Sequence, residues 1–176
     1  NQFSSGIPLE FGNLKDLEFL DLSTNRLSGS IPKVLQNCLK LIYLNLSNNN
    51  FSQSIPFELG KLVHLSKLDL SHNSLTGEIP SQIKNFESLE NLNLSHNKLS
   101  GLIPEAFEEM PWLILVDISY NKLEGPIPDS KAFRDAPIEA LQGNKGLCGN
   151  VTGFQPCKHT PKKGHQLILI IVLPLS

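Results

Sequence analysis

The pattern of apolar and polar positions along this chain repeats every 24 residues, from the first residues to residue 128. Each unit contains two apolar residues separated by one polar residue. Side chains on a β-strand point alternately to opposite faces, so this alternation predicts a short strand with its apolar residues inside. The apolar pairs of the five predicted strands are Leu20/Leu22, Leu44/Leu46, Leu68/Leu70, Leu92/Leu94 and Val116/Ile118.

Four further apolar columns recur at the same period, and none contains a charged residue. They hold Phe11, Leu35, Leu59, Ile83 and Phe107; Leu14, Cys38, Leu62, Phe86 and Met110; Leu17, Leu41, Leu65, Leu89 and Leu113; and Leu27, Phe51, Leu75, Leu99 and Leu123. The unit L-x-x-L-x-L-S-x-N-x-L-[ST]-G-x-I-P matches the leucine-rich repeat. We therefore expect an α/β-type repeat solenoid with a parallel sheet on its concave face.

Two polar or turn-forming columns accompany the apolar ones. An asparagine follows each strand, and we expect its amide to satisfy backbone groups of neighbouring coils, because a buried amide is costly without partners. The Ile-Pro dipeptide steers each coil into its return path. Ser5 and Gln53 stand where other units carry glycine, which predicts looser turns there. The asparagines are Asn25, Asn49, Asn73, Asn97 and Asn121.

The two ends of the chain depart from the repeat. Nothing before Asn1 covers the first coil, so the chain is interpreted as the C-terminal part of a longer array. After Pro128 the core columns fall on Lys131 and Arg134, which predicts that a cap replaces the next repeat. We expect repeats at 1–128, a cap at 129–157, a tether at 158–166 and the start of a truncated transmembrane helix at 167–176. This last stretch is apolar but only half of the roughly 20 residues that a membrane span needs.

Three motifs together resemble plant leucine-rich-repeat receptor-like serine/threonine kinases: L-[ST]-G-x-I-P, the string Gly-Asn-Lys-Gly-Leu-Cys-Gly at 143–149, and Pro156-Cys157 before an apolar stretch. The segments 130–133 and 136–149 are most similar to the MDIS-interacting receptor kinase branch. The resemblance implies plant-type repeats in an extracellular domain, a single membrane helix at the plasma membrane, and a cytoplasmic kinase beyond Ser176. In such an extracellular chain we expect a Cys148–Cys157 disulfide, with Cys38 as a buried free thiol.

The outward strand residues are the candidate binding surface, because they differ from coil to coil while the core columns do not. The resemblance implies a peptide or protein ligand and a co-receptor ectodomain as partners, with the membrane reached through the C-terminal helix. The candidate binding residues are Phe19, Asp21, Tyr43, Asn45, Lys67, Asp69, Asn91, Asn93, Leu115 and Asp117. Four N-x-[ST] sequons are candidate glycosylation sites, at Asn45, Asn50, Asn93 and Asn150.

Composition and motifs argue against several other kinds of chemistry. The net charge of −2 leaves no basic face for nucleic acid, and the chain contains no kinase motif. We expect no catalytic residue, metal or cofactor here. Cys148, Cys157, His159 and His165 match no usual zinc spacing. Asp69, Ser71 and His72 occupy repeat positions on a strand edge, so they are not interpreted as a hydrolytic triad. We expect His72, His96 and Tyr120 to stack on adjacent coils as solvated surface residues, with a pH-sensitive contact as the alternative.

Two alternative functions stay open from the sequence. The chain could belong to a receptor-like protein without a kinase, which differs only beyond Ser176. It could instead be a secreted inhibitor of polysaccharide hydrolases, as some plant repeat proteins are, although the apolar residues 167–175 argue against a soluble secreted protein. The sequence beyond Ser176 would separate these possibilities.

Overall fold

A computed structural model describes residues 4–158, and its coils carry two parallel sheets. The first sheet has five strands, each hydrogen-bonded to the strand of the adjacent coil, and it coincides with the predicted apolar strand pairs. Neighbouring strands pair residues exactly one repeat apart, such as Leu44 with Leu68. The strands of the first sheet are β2 (Phe19–Asp21), β4 (Tyr43–Asn45), β6 (Lys67–Asp69), β8 (Asn91–Asn93) and β10 (Leu115–Asp117).

The second sheet has seven strands, which follow one another in chain order across the sheet, and the sequence did not predict it. It forms where each coil passes the glycine of the L-[ST]-G-x-I-P motif. Its last strand comes from the cap and pairs with the last repeat. The strands are β1 (Ser4–Ser5), β3 (Arg26–Gly29), β5 (Asn50–Gln53), β7 (Ser74–Gly77), β9 (Lys98–Leu102), β11 (Lys122–Pro126) and β12 (Gly146–Cys148).

Short 3₁₀ helices return each coil towards the first sheet. In every repeat the helix directly follows the proline of Ile-Pro, whose fixed φ, such as −60° at Pro8, suits the residue before a helix. Helices of adjacent coils pack side by side. The repeat helices are Leu9–Asn13, Lys33–Asn37, Phe57–Lys61, Ser81–Asn85 and Glu105–Glu109, and the cap adds the 3₁₀ helix Ile138–Ala140 and α1 (Lys131–Asp135).

The predicted apolar columns form one continuous core between the sheets and the 3₁₀ helices. Leu35, Leu59 and Phe107 are almost fully buried, and so is the thiol residue Cys38. The prediction for Leu14 is wrong, because its side chain is 45% exposed. Leu14 lies in the first described coil, where only one side of the column meets a neighbouring coil.

The asparagine column forms the predicted ladder of hydrogen bonds. Asn97 donates to the carbonyl oxygens of Leu70, Leu94 and Ser95, and its own oxygen accepts from the Leu75 amide. The same bonds recur at Asn49, Asn73 and Asn121. A further rung that the sequence analysis missed is Asn144, which donates to Ile118 and Leu141 and accepts from the Leu123 amide. It lies 23 residues after Asn121, so a strict period of 24 passes over it.

The cap continues the core instead of ending it at Pro128. Lys131 and Arg134 do occupy α1, but the same short helix directs Phe133 inward, where its ring meets Phe107 edge-on with centroids 5.2 Å apart. Leu141 is also fully buried. The structure contains the predicted disulfide between Cys148 and Cys157, whose sequence separation is 9, and Cys38 is a buried free cysteine.

The expectation of looser turns at Ser5 and Gln53 is wrong. Gln53 has φ +67° and Ser5 has φ +86°, close to the +82° of Gly29 at the equivalent position. The pairing of the second sheet imposes this left-handed conformation even where the residue has a Cβ, which is sterically costly.

No helix within residues 4–158 has the length and apolar character needed to cross a membrane. The predicted start of a transmembrane helix, 167–176, lies outside the described residues, as does most of the tether at 158–166.

Candidate recognition surface

The outer face of the first sheet carries all ten predicted binding residues. We use "outer face" for the side chains of this sheet that point away from the core, which form two columns across the five strands. Each of these residues is exposed or partly exposed, while the residue between them on each strand is buried. One column holds Phe19, Tyr43, Lys67, Asn91 and Leu115, and the other holds Asp21, Asn45, Asp69, Asn93 and Asp117.

The Asp/Asn column has a structural role that sequence reasoning missed. One oxygen of Asp69 accepts hydrogen bonds from the backbone amide of Ser71 at 2.9 Å and from its hydroxyl at 2.7 Å. Asp21, Asn93 and Asp117 make the same pair of bonds to the serine two residues later, and Asn45 makes the backbone bond. The recurrent serine after each strand is the signal that identifies this turn. Aspartate and asparagine are therefore interchangeable for the turn.

The N-terminal half of the outer face, defined as Phe19, Asp21, Tyr43, Asn45 and Lys67, bonds to itself. The second Asp21 oxygen accepts from the Tyr43 hydroxyl at 3.4 Å and from the Asn45 amide at 3.3 Å. The Lys67 ammonium lies 5.5 Å from the centre of the Tyr43 ring, and the Phe19 and Tyr43 rings are 6.4 Å apart. Hydrogen bonds, led by the one from the Ser23 hydroxyl, hold the pKa of the Asp21 carboxyl below its ordinary value.

The C-terminal half of the outer face, defined as Asp69, Asn91, Asn93, Leu115 and Asp117, is open. Within the described residues, the second oxygens of Asp69 and Asp117 have no hydrogen-bond partner. Leu115 is 62% exposed. These side chains line a groove of about 370 Å³, bounded on one side by Lys67 and on the other by two residues of the cap, Pro137 and Ala140.

A stack of three rings runs along the edge of the first sheet. The centroids of His72 and His96 are 4.1 Å apart, and those of His96 and Tyr120 are 4.4 Å apart, which confirms the predicted stacking. Tyr120 also accepts a hydrogen bond from the Gln142 side chain of the cap. The Ser71 hydroxyl donates directly to Asp69. This bond is the one expected of a turn serine and not of a nucleophile activated by histidine.

The regular coils and the Asn ladder have a counterpart in sequence comparison. The leucine-rich-repeat family model matches residues 63–123, and a second model of the same repeat matches residues 16–38 and 40–62. The chain belongs to the leucine-rich-repeat family. Its coils thus follow the architecture that the 24-residue unit predicted.

Individual relatives of this leucine-rich-repeat chain are receptor kinases of plants. It is 50% identical over 54 residues to "MDIS1-interacting receptor like kinase 2" of Arabidopsis thaliana, a match covering 27% of this chain and 5% of the relative. The ectodomain of the Arabidopsis receptor kinase GASSHO1/SCHENGEN3, solved with CASPARIAN STRIP INTEGRITY FACTOR 2, is 40% identical with a TM-score of 0.83. That match covers 90% of this chain and 19% of the ectodomain chain.

A third relative is the Arabidopsis receptor kinase HAESA, solved with the peptide hormone IDA and the co-receptor SERK1. It is 36% identical with a TM-score of 0.76, over 88% of this chain and 26% of that one. The leucine-rich-repeat chain thus matches 26% or less of each of these relatives, and its resemblance to plant leucine-rich-repeat receptor kinases is confirmed.

The sequons of the leucine-rich-repeat chain differ in their surroundings. Asn50 and Asn150 are exposed, and neither makes a side-chain hydrogen bond within residues 4–158. Asn45 and Asn93 use their side-chain oxygens in the strand-end turns, and the serines of their sequons are 5% and 4% exposed. The structure thus separates two open sequons from two that are part of the outer face.

The described part of the chain contains no group of three or more metal-ligating side chains. The cysteines of the zinc spacing considered above are joined in the disulfide. Its histidines, His159 and His165, lie outside the described residues.

Proposed function

We propose that this chain is the part of a plant receptor-like serine/threonine kinase that recognises an extracellular peptide or protein ligand, or a co-receptor, through the outer face. The observation that carries the proposal is a row of varied, solvent-facing side chains on a rigid repeating frame. Parallel strands in fixed register hold these side chains at a constant spacing. An extended ligand fits such a surface without moving the frame.

The relatives support the extracellular setting of the proposal. They are receptor kinases, and two were solved as ectodomains bound to peptide or protein factors. By analogy we place this chain outside the plasma membrane in a single-pass receptor, with a kinase domain beyond Ser176. The disulfide fits an oxidising compartment. The domain boundaries 1–128, 129–157, 158–166 and 167–176 belong to the same proposal.

The extracellular location that we propose includes glycosylation of exposed sequons. Asn50 and Asn150 are the sequons that we expect to carry glycans, since an oligosaccharide attached there extends into solvent. Glycans at Asn45 or Asn93 would instead cover the proposed binding surface. Mass spectrometry of the protein secreted by a eukaryotic host measures the occupancy. Unmodified Asn50 and Asn150 would contradict this part of the proposal.

The binding proposal is tested by blocking the outer face. A random peptide library is selected against the protein, and the enriched peptides are synthesised and their affinities measured. In the variant Asn91→Trp a bulky ring fills the groove, and no hydrogen bond is lost because the Asn91 side chain makes none within the described residues. The matched control is Glu105→Trp, an equally large change at an exposed residue of a 3₁₀ helix.

We expect Asn91→Trp to weaken peptide binding at least about tenfold, because the ring occupies the space of the ligand. Glu105→Trp should leave the affinity unchanged. Circular dichroism melts of both variants verify that the coils are folded. Equal binding by the two variants, or no enriched peptide at all, would contradict the proposal that the outer face recognises peptides.

A further inference from the structure

The groove in the C-terminal half of the outer face differs from the rest of that face because it contains carboxylate oxygens with no hydrogen-bond partner among the described residues. Asp69 and Asp117 lie on strands that are separated by one strand, β8, so their Cα atoms are about 10 Å apart. Each carboxylate uses one oxygen for its serine turn and has a second oxygen with no partner among the described residues. Two anionic acceptors thus stand on either side of the Asn93 side chain.

No cation of the described residues neutralises these two carboxylates. Lys67 borders the groove, but its ammonium lies over the Tyr43 ring, on the side away from Asp117 in the strand order. Within the described residues it forms no ion pair with Asp69. Glu18 and Glu90, which immediately precede β2 and β8, are exposed and add further negative charge. The outer face therefore attracts cations, most strongly where the carboxylates are unpartnered.

The walls of the groove add an apolar surface beside the carboxylates. Leu115 is largely exposed, and Pro137 and Ala140 of the cap stand next to it. The cap wall is held in place by two contacts, since Ile138 packs closely against Gly153 and the nearby loop is closed by the disulfide. A ligand with a long aliphatic stem and a cationic end matches this combination.

We propose that this groove binds an arginine or lysine side chain of an extended peptide ligand, together with an adjacent apolar side chain that packs on Leu115 and Pro137. The inference rests on the proposed function, since it names the chemistry of a ligand that the outer face recognises. The cationic group sits between Asp69 and Asp117, and the Asn91 amide and the NH₂ group of Asn93 are available to the peptide backbone. Charge-assisted hydrogen bonds to carboxylates are stronger than neutral ones.

The test uses peptides enriched from the random library and their binding to the protein. We expect an arginine or lysine next to an apolar residue in these peptides. Replacing that basic residue by glutamine should weaken binding about fivefold, roughly the upper value for a partly exposed ion pair. Binding should also weaken between low and high salt, because screening reduces such pairs.

The protein variants are Asp69→Asn and Asp117→Asn, each expected to weaken binding about two- to fivefold. Both should fold normally, because Asn45 and Asn93 already occupy this column and make the turn. The matched control is Glu105→Gln, which removes one negative charge at an exposed residue of a 3₁₀ helix, outside the outer face. It should leave the affinity unchanged.

The outcomes separate this inference from the proposed function. Peptides that are blocked by Asn91→Trp, but need no basic residue and bind Asp69→Asn and Asp117→Asn as tightly as the wild type, would overturn the basic-side-chain proposal and leave the outer face as the recognition surface. Peptides insensitive to Asn91→Trp would overturn both. An equal loss of affinity in Glu105→Gln and Asp117→Asn would also overturn the inference, since a general charge effect would then explain the binding.

Discussion

The two halves of the outer face use the same frame in different ways. In the N-terminal half, Tyr43 brings together Asp21, Asn45 and Lys67, so their polar groups bond to one another. In the C-terminal half, the side chains of Asp69, Asn93 and Asp117 bond, within residues 4–158, to the turn serines alone. A surface that satisfies its own polar groups has less to offer a ligand, because binding must first break those bonds. Exposure alone therefore does not distinguish the two halves, whereas the bonding of their polar groups does.

The asparagine ladder, which joins the coils of both halves, predicts the largest change in stability. Asn97→Ala removes four hydrogen bonds from a side chain that is 9% exposed and leaves the Leu75 amide without its acceptor. At about 1 kcal/mol for each bond, we expect the free energy of unfolding to fall by about 4 kcal/mol. Urea unfolding measures the change.

Asn85→Ala is the control for the ladder, because Asn85 is exposed and makes no side-chain hydrogen bond within residues 4–158. It should change the free energy of unfolding by less than about 0.5 kcal/mol. If Asn97→Ala were no more damaging than Asn85→Ala, the ladder would not be what holds the coils together.

The cap predicts the next largest effect, which should distinguish the halves because Pro137 and Ala140 of the cap line the groove of the C-terminal half. Replacing both Cys148 and Cys157 by serine should lower the free energy of unfolding by about 2.5 kcal/mol, the chain-entropy value for a loop of this length. The loosened wall at Pro137 should also weaken peptide binding. Guanidinium unfolding and affinity measurements of the double variant test both. Unchanged binding would show that the cap wall takes no part.

The contacts within the N-terminal half predict a smaller effect. Tyr43→Ala removes the ring beneath Lys67 and the hydroxyl near Asp21 and Asn45, so we expect a loss of about 1–2 kcal/mol of stability. Asn91→Ala, in the same column but without side-chain partners among the described residues, should cost less than about 0.5 kcal/mol. Thermal unfolding of the two variants compares the halves directly. Equal losses would remove the distinction.

The smallest effect concerns the turns beneath the two halves. The C-terminal half has Gly77, Gly101 and Gly125 at the left-handed turn, whereas the coil of Tyr43 has Gln53 there with φ +67°. Gln53→Gly should raise the free energy of unfolding by about 0.5–1 kcal/mol, because glycine adopts this conformation without steric cost. Gln53→Ala is the control and should give no gain. A loss of stability in Gln53→Gly would contradict strain at this turn.

The sequence predicted the repeating features of this molecule better than the single ones. The columns of leucine and asparagine gave the first sheet, the core and the ladder, since each is repeated five times. The second sheet was not predicted because its strands have no alternation of apolar and polar residues of their own, as at Ser74–Gly77. Asn144 was not predicted as a rung of the ladder because it follows Asn121 by 23 residues instead of 24.

The sequence predicted which residues lie on the outer face, but not which of their polar groups are hydrogen-bonded to neighbouring side chains. All ten outward positions follow from alternation along the strands. Whether a polar group is bonded depends on side-chain rotamers across neighbouring coils, which a column of residue types does not contain. Tyr43, for example, reaches both Asp21 and Lys67 on the two adjacent strands. The groove also needs Pro137 and Ala140, which the repeat pattern does not place.

The most direct test of the difference between the halves is a nuclear magnetic resonance titration of the isotope-labelled protein with an enriched peptide. We expect the largest chemical-shift changes at Asn91, Asn93, Leu115 and Asp117, with small changes at Phe19 and Asp21. The cap residue Ala140 should shift as well, since it lines the same groove. Shifts concentrated at Phe19, Asp21 and Tyr43, or on the 3₁₀ helices, would contradict the assignment of recognition to the C-terminal half.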